Sequence, residues 1–253
     1  MANRSAGFNE LNRKEEDEMH GIKAGMMVGV LGGLAPSAVA ADRLVVGLMG
    51  DSTVAEDKPD DATRGWGQCL GEFLDDVEIF NKAVGGLSTK TCLLNGNIDM
   101  LLTRKPSYVL IQFGHNDSHA KGNPESTDAA TDYKENLRKI VDMTRTAGAI
   151  PVLVTPMHRR VFEGDGNVSQ ELKPYAEAMK EVAKEKGVFL VDLYTPSGTL
   201  FDRLGDAGSA DLSCKVDDRT HFSEAGAREM ARLVAEGLNG ENGALAKRLK
   251  TGK

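Results

Sequence analysis
The sequence predicts one α/β domain, a three-layer α/β/α sandwich on a five-stranded parallel sheet with flavodoxin-like strand order. Two observations carry this and a third bounds it. Five short, mainly apolar runs, at residues 44–49, 77–80, 108–113, 150–154 and 188–191, read as strands. Helical stretches alternate with these runs, the arrangement of a parallel sheet covered on both sides. At 253 residues, 40% hydrophobic and 27% charged, the chain holds enough apolar material for a sizeable core without a second domain.

Taken in order, the first strand stops at Gly50-Asp51-Ser52. That turn leaves a serine hydroxyl at the carboxyl end of a central strand, where open α/β sheets place their ligands. After a polar loop at 55–64, Gly65-Trp66-Gly67-Gln68 opens an amphipathic helix expected to reach about Leu74. The second strand gives way to Asn81-Lys82-Ala83-Val84-Gly85-Gly86, whose paired glycines permit a positive φ or a close backbone approach. Residues 88–102 read as helical in pieces. The third strand ends at Gly114-His115-Asn116-Asp117, and a loop at 118–127 leads to a helix over 130–147 closed by Gly148. The fourth strand ends at Thr155-Pro156, and a helix over 171–186 stops at Gly187 before the fifth. Ser223 caps the last helix, which runs to about Leu238 with Leu233 and Val234 inward.

The N-terminus is of a different character. Lys23 precedes an apolar run at 24–34, and Ala38-Val39-Ala40 has the small-x-small form of a signal-peptidase site. Residues 19–40 therefore read as a secretory signal peptide cut before Ala41, and the polar prefix 1–18 as the product of a start codon placed too early. This divides the chain into an N-terminal extension and signal peptide, 1–40, and a mature domain, 41–253. The expected location is secreted or periplasmic, without stable membrane association after cleavage. A net charge of -7 supplies no electrostatic footprint for nucleic acid. Cys69, Cys92 and Cys214 are an odd set; export permits a Cys92–Cys214 disulfide, and free buried thiols fit equally well. No cysteine pair has metal-ligand spacing, and no metal or cofactor is expected.

Three polar clusters, Gly50-Asp51-Ser52, Gly85-Gly86 and the one spanning Gly114 to Asp117, follow strands and converge on one rim of the sheet. A fourth, Asp218-Arg219-Thr220-His221-Phe222, stands just before the last helix. Together they hold what acyl transfer needs: a serine, an imidazole for its proton, a carboxylate to orient that ring, and donors for an oxyanion. Asp218 and His221, three apart in a loop, can serve one site. Val54 replaces the second glycine of a Gly-x-Ser-x-Gly elbow, so the α/β-hydrolase layout is not indicated.

These blocks, Gly50-Asp51-Ser52-Thr53, Asn81-x-Ala83-x-Gly85-Gly86, Gly114-His115-Asn116-Asp117 and Asp218-x-x-His221-Phe222, resemble the four blocks of SGNH (GDSL-like) hydrolases. The rhamnogalacturonan acetylesterase branch is the nearest likeness, and it extends over the mature chain through Gly65-Trp66-Gly67-Gln68, Tyr133-Lys134-Glu135-Asn136-Leu137 and Thr155-Pro156. The resemblance implies Ser52 as nucleophile, His221 as general base and then acid, and Asp218 as its orienting partner. It implies an oxyanion hole of the Ser52 and Gly86 amides and the Asn116 side chain. With the signal peptide it also implies a secreted serine esterase that deacetylates a carbohydrate, a pectic polysaccharide first, without a cofactor; a monomer is expected. Acetylated xylan, sialate, small acyl esters or lysophospholipids are alternative substrates, and a catalytically silent carbohydrate-binding module is the alternative from another class.

Plainer readings accompany each residue. Ser52 alone would read as a helix N-cap. Asp51 reads as shaping its turn, Asp217 as a weaker candidate orienter than Asp218, and His115 as either structural or site-lining. His20, His119 and His158 read as tail or exposed loop residues. Gly85–Thr91 lacks the Gly-Lys-Ser/Thr core of a phosphate loop. Leu87 stands where relatives often carry arginine, which removes a possible contact to a uronate carboxylate. Arg159 and Arg160 read as solvated arginines, with an acidic sugar as their alternative partner.

Overall fold
The five expected strands form one parallel sheet in the order β2-β1-β3-β4-β5, seen in a computed structural model that describes residues 43–250. The signal-peptide expectation and His20 lie outside the described residues. The strands are β1 (Leu44–Gly50), β2 (Val77–Asn81), β3 (Tyr108–Gln112), β4 (Ile150–Val154) and β5 (Phe189–Val191). β1 pairs with β2 from Leu44↔Val77 to Leu48↔Asn81 and with β3 from Val46↔Tyr108 to Gly50↔Gln112.

Side chains alternate across the pleat, so the same apolar run feeds two cores. Val46, Leu48, Tyr108, Leu110, Val152 and Val154 point to one face, against Trp66 of α1 (Trp66–Cys69) and Met230, Val234 and Leu238 of α7 (Glu224–Leu238). Met49, Val109, Ile111 and Leu153 point to the other. There they meet α3 (Asn97–Leu102), α4 (Asp132–Thr146) and α5 (Lys173–Lys186). On α4 the buried residues Tyr133, Leu137, Ile140, Val141 and Thr144 recur at helical spacing on one face. Among the described residues, no helix is long and apolar enough to cross a membrane.

Two elements differ from expectation, and the stretch expected to be helical in pieces resolves into two helices. The helix opened by Trp66 keeps α geometry only to Cys69 and finishes as a 3-10 turn, Leu70–Phe73, the tightening usual at a helix end. The pieces over 88–102 are α2 (Thr89–Leu94), closed at its start by a Ser88–Thr91 capping box, and α3, separated by Gly96 at φ 68. An additional helix, α6 (Tyr194–Gly208), follows β5. Pro196 is tolerated in its first turn, where no intrahelical N–H bond is needed, and Gly205 at φ 66 kinks it. Burial of Leu200 and Phe201, not local propensity, holds α6 in place.

The cysteines are free: Cys69 and Cys92 are buried and Cys214 is half-buried. The conceivable Cys92–Cys214 disulfide does not form. Cys92 packs in the core under α3 and α4, where burial pushes its thiol up to about 12, whereas Cys214 lies beside Asp218.

Candidate active site
The carboxyl ends of β1, β2 and β3 gather three of the four polar clusters, and a loop anchored from the opposite side brings the fourth. Phe222, 2% exposed, is buried in the core, and its carbonyl accepts the Arg64 N–H at 2.9 Å. This fixes His221 one residue earlier. Its Nε2 stands 2.9 Å from Ser52 Oγ, and its Nδ1 2.9 Å from Asp218 Oδ2. The backbone amides of Thr220 and His221 donate to Asp218 Oδ1 at 2.9 and 2.8 Å, and the Cys214 thiol lies 3.5 Å from Oδ2. Partial burial pulls the Asp218 carboxyl up, but those amides and the His221 ring outweigh it and hold the group at about 2. Asp217 is exposed; the ring meets Asp218.

On the far side of Ser52 lies Gly85-Gly86. A Cβ on Gly85 would come 3.8 Å from the Ser52 Cβ, which places this loop against the serine. Gly86 sits at φ 79 with open space beside it, so conformation, not crowding, calls for glycine there. Asn81 shapes the loop: its Oδ1 accepts the Ala83 N–H at 3.0 Å and its Nδ2 donates to the Val54 carbonyl at 2.7 Å. The Asn116 side chain donates one N–H to the Leu87 carbonyl at 2.9 Å, and its amide carries a second donor. Leu87 itself, 4% exposed, points into the core. An arginine's absence at this position is therefore a matter of core packing.

The Asn116 loop is pinned by residues that the sequence did not single out for this task. Tyr133 Oη donates to the Phe113 carbonyl at 2.9 Å, and Tyr175 Oη to the Asp117 carbonyl at 3.0 Å. Gly114, at φ 139, leaves no room for a Cβ, which would meet Pro156 at 2.8 Å. Asp117 accepts from the Thr89 amide and from the Thr89 and Thr127 hydroxyls. Burial nevertheless raises its carboxyl to about 6.

Both arginines have internal partners, contrary to the reading of solvated side chains. Arg159 Nη2 donates to the His115 carbonyl at 2.8 Å and Nη1 pairs with Glu171 at 3.1 Å. Arg160, 3% exposed, donates to Ser209 Oγ and pairs with Asp206 at 3.1 Å. His158 is likewise no exposed loop residue: it is 3% exposed, stacked on Tyr194 at 3.8 Å between centroids. The buried face of α6 covers it, and a Cβ on Gly198 would collide with its ring at 2.6 Å. His119 stays at the surface, facing Glu125. Among the described residues, no group of three His, Cys, Asp or Glu is arranged to hold a metal ion.

A parallel α/β/α sandwich with serine, imidazole and carboxylate in line beyond the carboxyl end of β1 has the parts of a serine-type ester hydrolase. The GDSL-like Lipase/Acylhydrolase family model matches residues 48–229; the chain belongs to that family and is a carboxylic ester hydrolase. It is 38% identical over 208 residues to the rhamnogalacturonan acetylesterase RhgT of Bacillus subtilis (strain 168), covering 76% of this chain and 88% of that one. It is 36% identical over 198 residues to the probable rhamnogalacturonan acetylesterase YesY of the same organism, covering 76% and 90%. Among solved structures, YXIM_BACsu from Bacillus subtilis superposes with a TM-score of 0.71 at 27% identity, over 80% of this chain and 58% of that one. The acetylxylan esterase Axe2 of Geobacillus stearothermophilus superposes with a TM-score of 0.61 at 18% identity, over 79% and 98%, a likeness of fold.

Proposed function
We propose that the protein removes O-acetyl groups from a carbohydrate, a pectic polysaccharide of the rhamnogalacturonan type, through an acetyl-enzyme on Ser52. The observation that carries this reading is the unbroken line Ser52 Oγ, His221 Nε2, His221 Nδ1, Asp218 Oδ2, with both gaps at 2.9 Å. Ser52 Oγ attacks the acetyl carbonyl carbon while its proton passes to His221 Nε2, and the Asp218 carboxylate stabilises the imidazolium. The carbonyl oxygen becomes an oxyanion facing the Ser52 and Gly86 amides and Asn116 Nδ2, each donor worth about 3 kcal/mol in the transition state. Collapse breaks the bond to the sugar oxygen, which leaves with the proton from His221. Water, deprotonated by the same ring, then attacks the acetyl-enzyme and releases acetate and free Ser52.

The names of the relatives at 36–38% identity support acetyl as the acyl group and rhamnogalacturonan as the carrier. The signal-like segment 19–40 supports action outside the cytoplasm, where such a polymer is met. The test is acetate release across acetylated rhamnogalacturonan, acetylated xylan, sialate esters and lysophospholipids, with Ser52→Ala as control. Fastest turnover on the first substrate is expected. A preference for long acyl chains overturns the carbohydrate reading. Undiminished acetate release by Ser52→Ala overturns the acetyl-enzyme on that serine.

A further inference from the structure
Behind Ser52 runs a second polar chain, which the acyl-transfer cycle leaves unused. Trp66 Nε1 donates to Gln112 Oε1 at 2.7 Å, Gln112 Nε2 to Thr53 Oγ1 at 2.7 Å, and Thr53 Oγ1 to Asp51 Oδ1 at 2.7 Å. The Thr53 amide donates to the same carboxylate oxygen at 2.9 Å. The other oxygen, Asp51 Oδ2, faces His115 Nδ1 at 3.4 Å, an ion-pair contact rather than a formed hydrogen bond. None of the five residues is more than 2% exposed.

The order along the chain gives this network its meaning. Asp51 immediately precedes Ser52 and His115 immediately precedes Asn116. Backbone pairing between β1 and β3 ends at Gly50↔Gln112, so both functional groups lie beyond the last rung of the ladder. Asp51 facing His115 joins the two turns past that rung, and Gln112 with Thr53 joins them at it. His115 is also held from outside, its carbonyl accepting from Arg159 Nη2 and Ser118 Oγ, each at 2.8 Å. A buried carboxylate facing an imidazole is an expensive way to fill space, and an apolar pair of similar volume would cost less. Its use is in registry.

We propose that Asp51 and His115, with Thr53 and Gln112 behind them, form a positioning pair that sets the distance between Ser52 and the Asn116 oxyanion donor. The inference rests on the reading of Ser52 as nucleophile and Asn116 as donor. Because the oxyanion exists only after attack, an error in this distance reduces kcat and leaves ground-state binding intact.

The experiment is steady-state hydrolysis of p-nitrophenyl acetate by Asp51→Asn, His115→Phe, their double variant, Thr53→Val and Thr53→Ser, with Ser52→Ala alongside. Each single change at Asp51 or His115 is expected to lower kcat tenfold or more with KM within twofold. The double variant is expected to lose no more than the worse single one, as residues acting as a unit do. Thr53→Val is expected to lose several-fold in kcat and Thr53→Ser to recover most of it, a comparison that holds even if the Asp51 variant fails to fold. Wild-type kcat in Asp51→Asn or Thr53→Val, or losses that multiply in the double variant, overturns the pair while leaving the nucleophile reading standing. Undiminished turnover by Ser52→Ala sinks that reading separately.

Discussion
Two carboxylate–imidazole pairs flank Ser52, and they are built for different work. Asp218 and His221 meet at 2.9 Å with side chains 23% and 35% exposed. Asp51 and His115 stand at 3.4 Å with side chains 0% and 2% exposed. In the first pair two backbone amides fix the carboxylate, leaving the ring one free nitrogen that reaches Ser52 Oγ. In the second, neither ring nitrogen of His115 makes a hydrogen bond. Burial pulls the Asp51 carboxyl up, yet the facing His115 ring and the bonds from Thr53 keep it below its ordinary value. The exposed pair can trade protons with a substrate and with water; the buried one can hold two turns still. Proximity to the serine is thus a poor guide to role, and access to solvent a better one.

Substitutions can break this comparison, the largest effects first. Ser52→Ala and His221→Ala should each lower kcat on an acetyl ester by about 10^4-fold or more, because the members of a triad act as a unit. Comparable activity in either variant would remove the exposed pair from the chemistry. Asp218→Asn should cost on the order of 10^4-fold, well beyond the loss expected for Asp51→Asn; equal losses would erase the distinction between the pairs. Asn116→Ala should cost about 10^2-fold in kcat with little change in KM, read from initial rates against substrate concentration.

Two smaller effects are expected in stability against pH. The Asp218 carboxyl is held at about 2, below its ordinary 3.8. Its contribution is therefore complete above about pH 4 and is lost as pH falls through 2. Thermal midpoints of the wild type and Asp218→Asn should converge over that window. Asp117 has the opposite sign, its carboxyl raised from 3.8 to about 6 by burial. Its contribution is full below 3.8 and is lost as pH rises through 6, so the thermal midpoint of Asp117→Asn should vary less than that of the wild type between pH 4 and 7. A steeper dependence in the variant would contradict the assignment.

The rim that carries the candidate site was largely legible because three of the four polar blocks follow strands, and parallel strands deliver their carboxyl ends to one edge. Ser52, Gly86 and Asn116 owe their shared rim to that rule, and the Asp218-x-x-His221 spacing to local loop geometry. His158, Arg160 and α6 were not legible for a common reason. A polar side chain in a loop looks solvated until a helix distant in sequence covers it, and α6 is held by the burial of Leu200 and Phe201 rather than by its own propensity. The Trp66–Gln112–Thr53–Asp51 chain was equally hidden, since its members come from three elements up to 61 residues apart.

What the sequence by itself determined is the class of chemistry and the sheet that carries it. Apolar runs of strand length, each closed by a polar turn, leave a parallel sheet little freedom in where its functional groups emerge. Only the tertiary structure decided which of two adjacent imidazole–carboxylate pairs touches solvent, and that Leu87, His158 and Arg160 face inward. Burial is a property of the whole packed chain: a side chain's exposure depends on residues that are distant in sequence, and no local pattern records them.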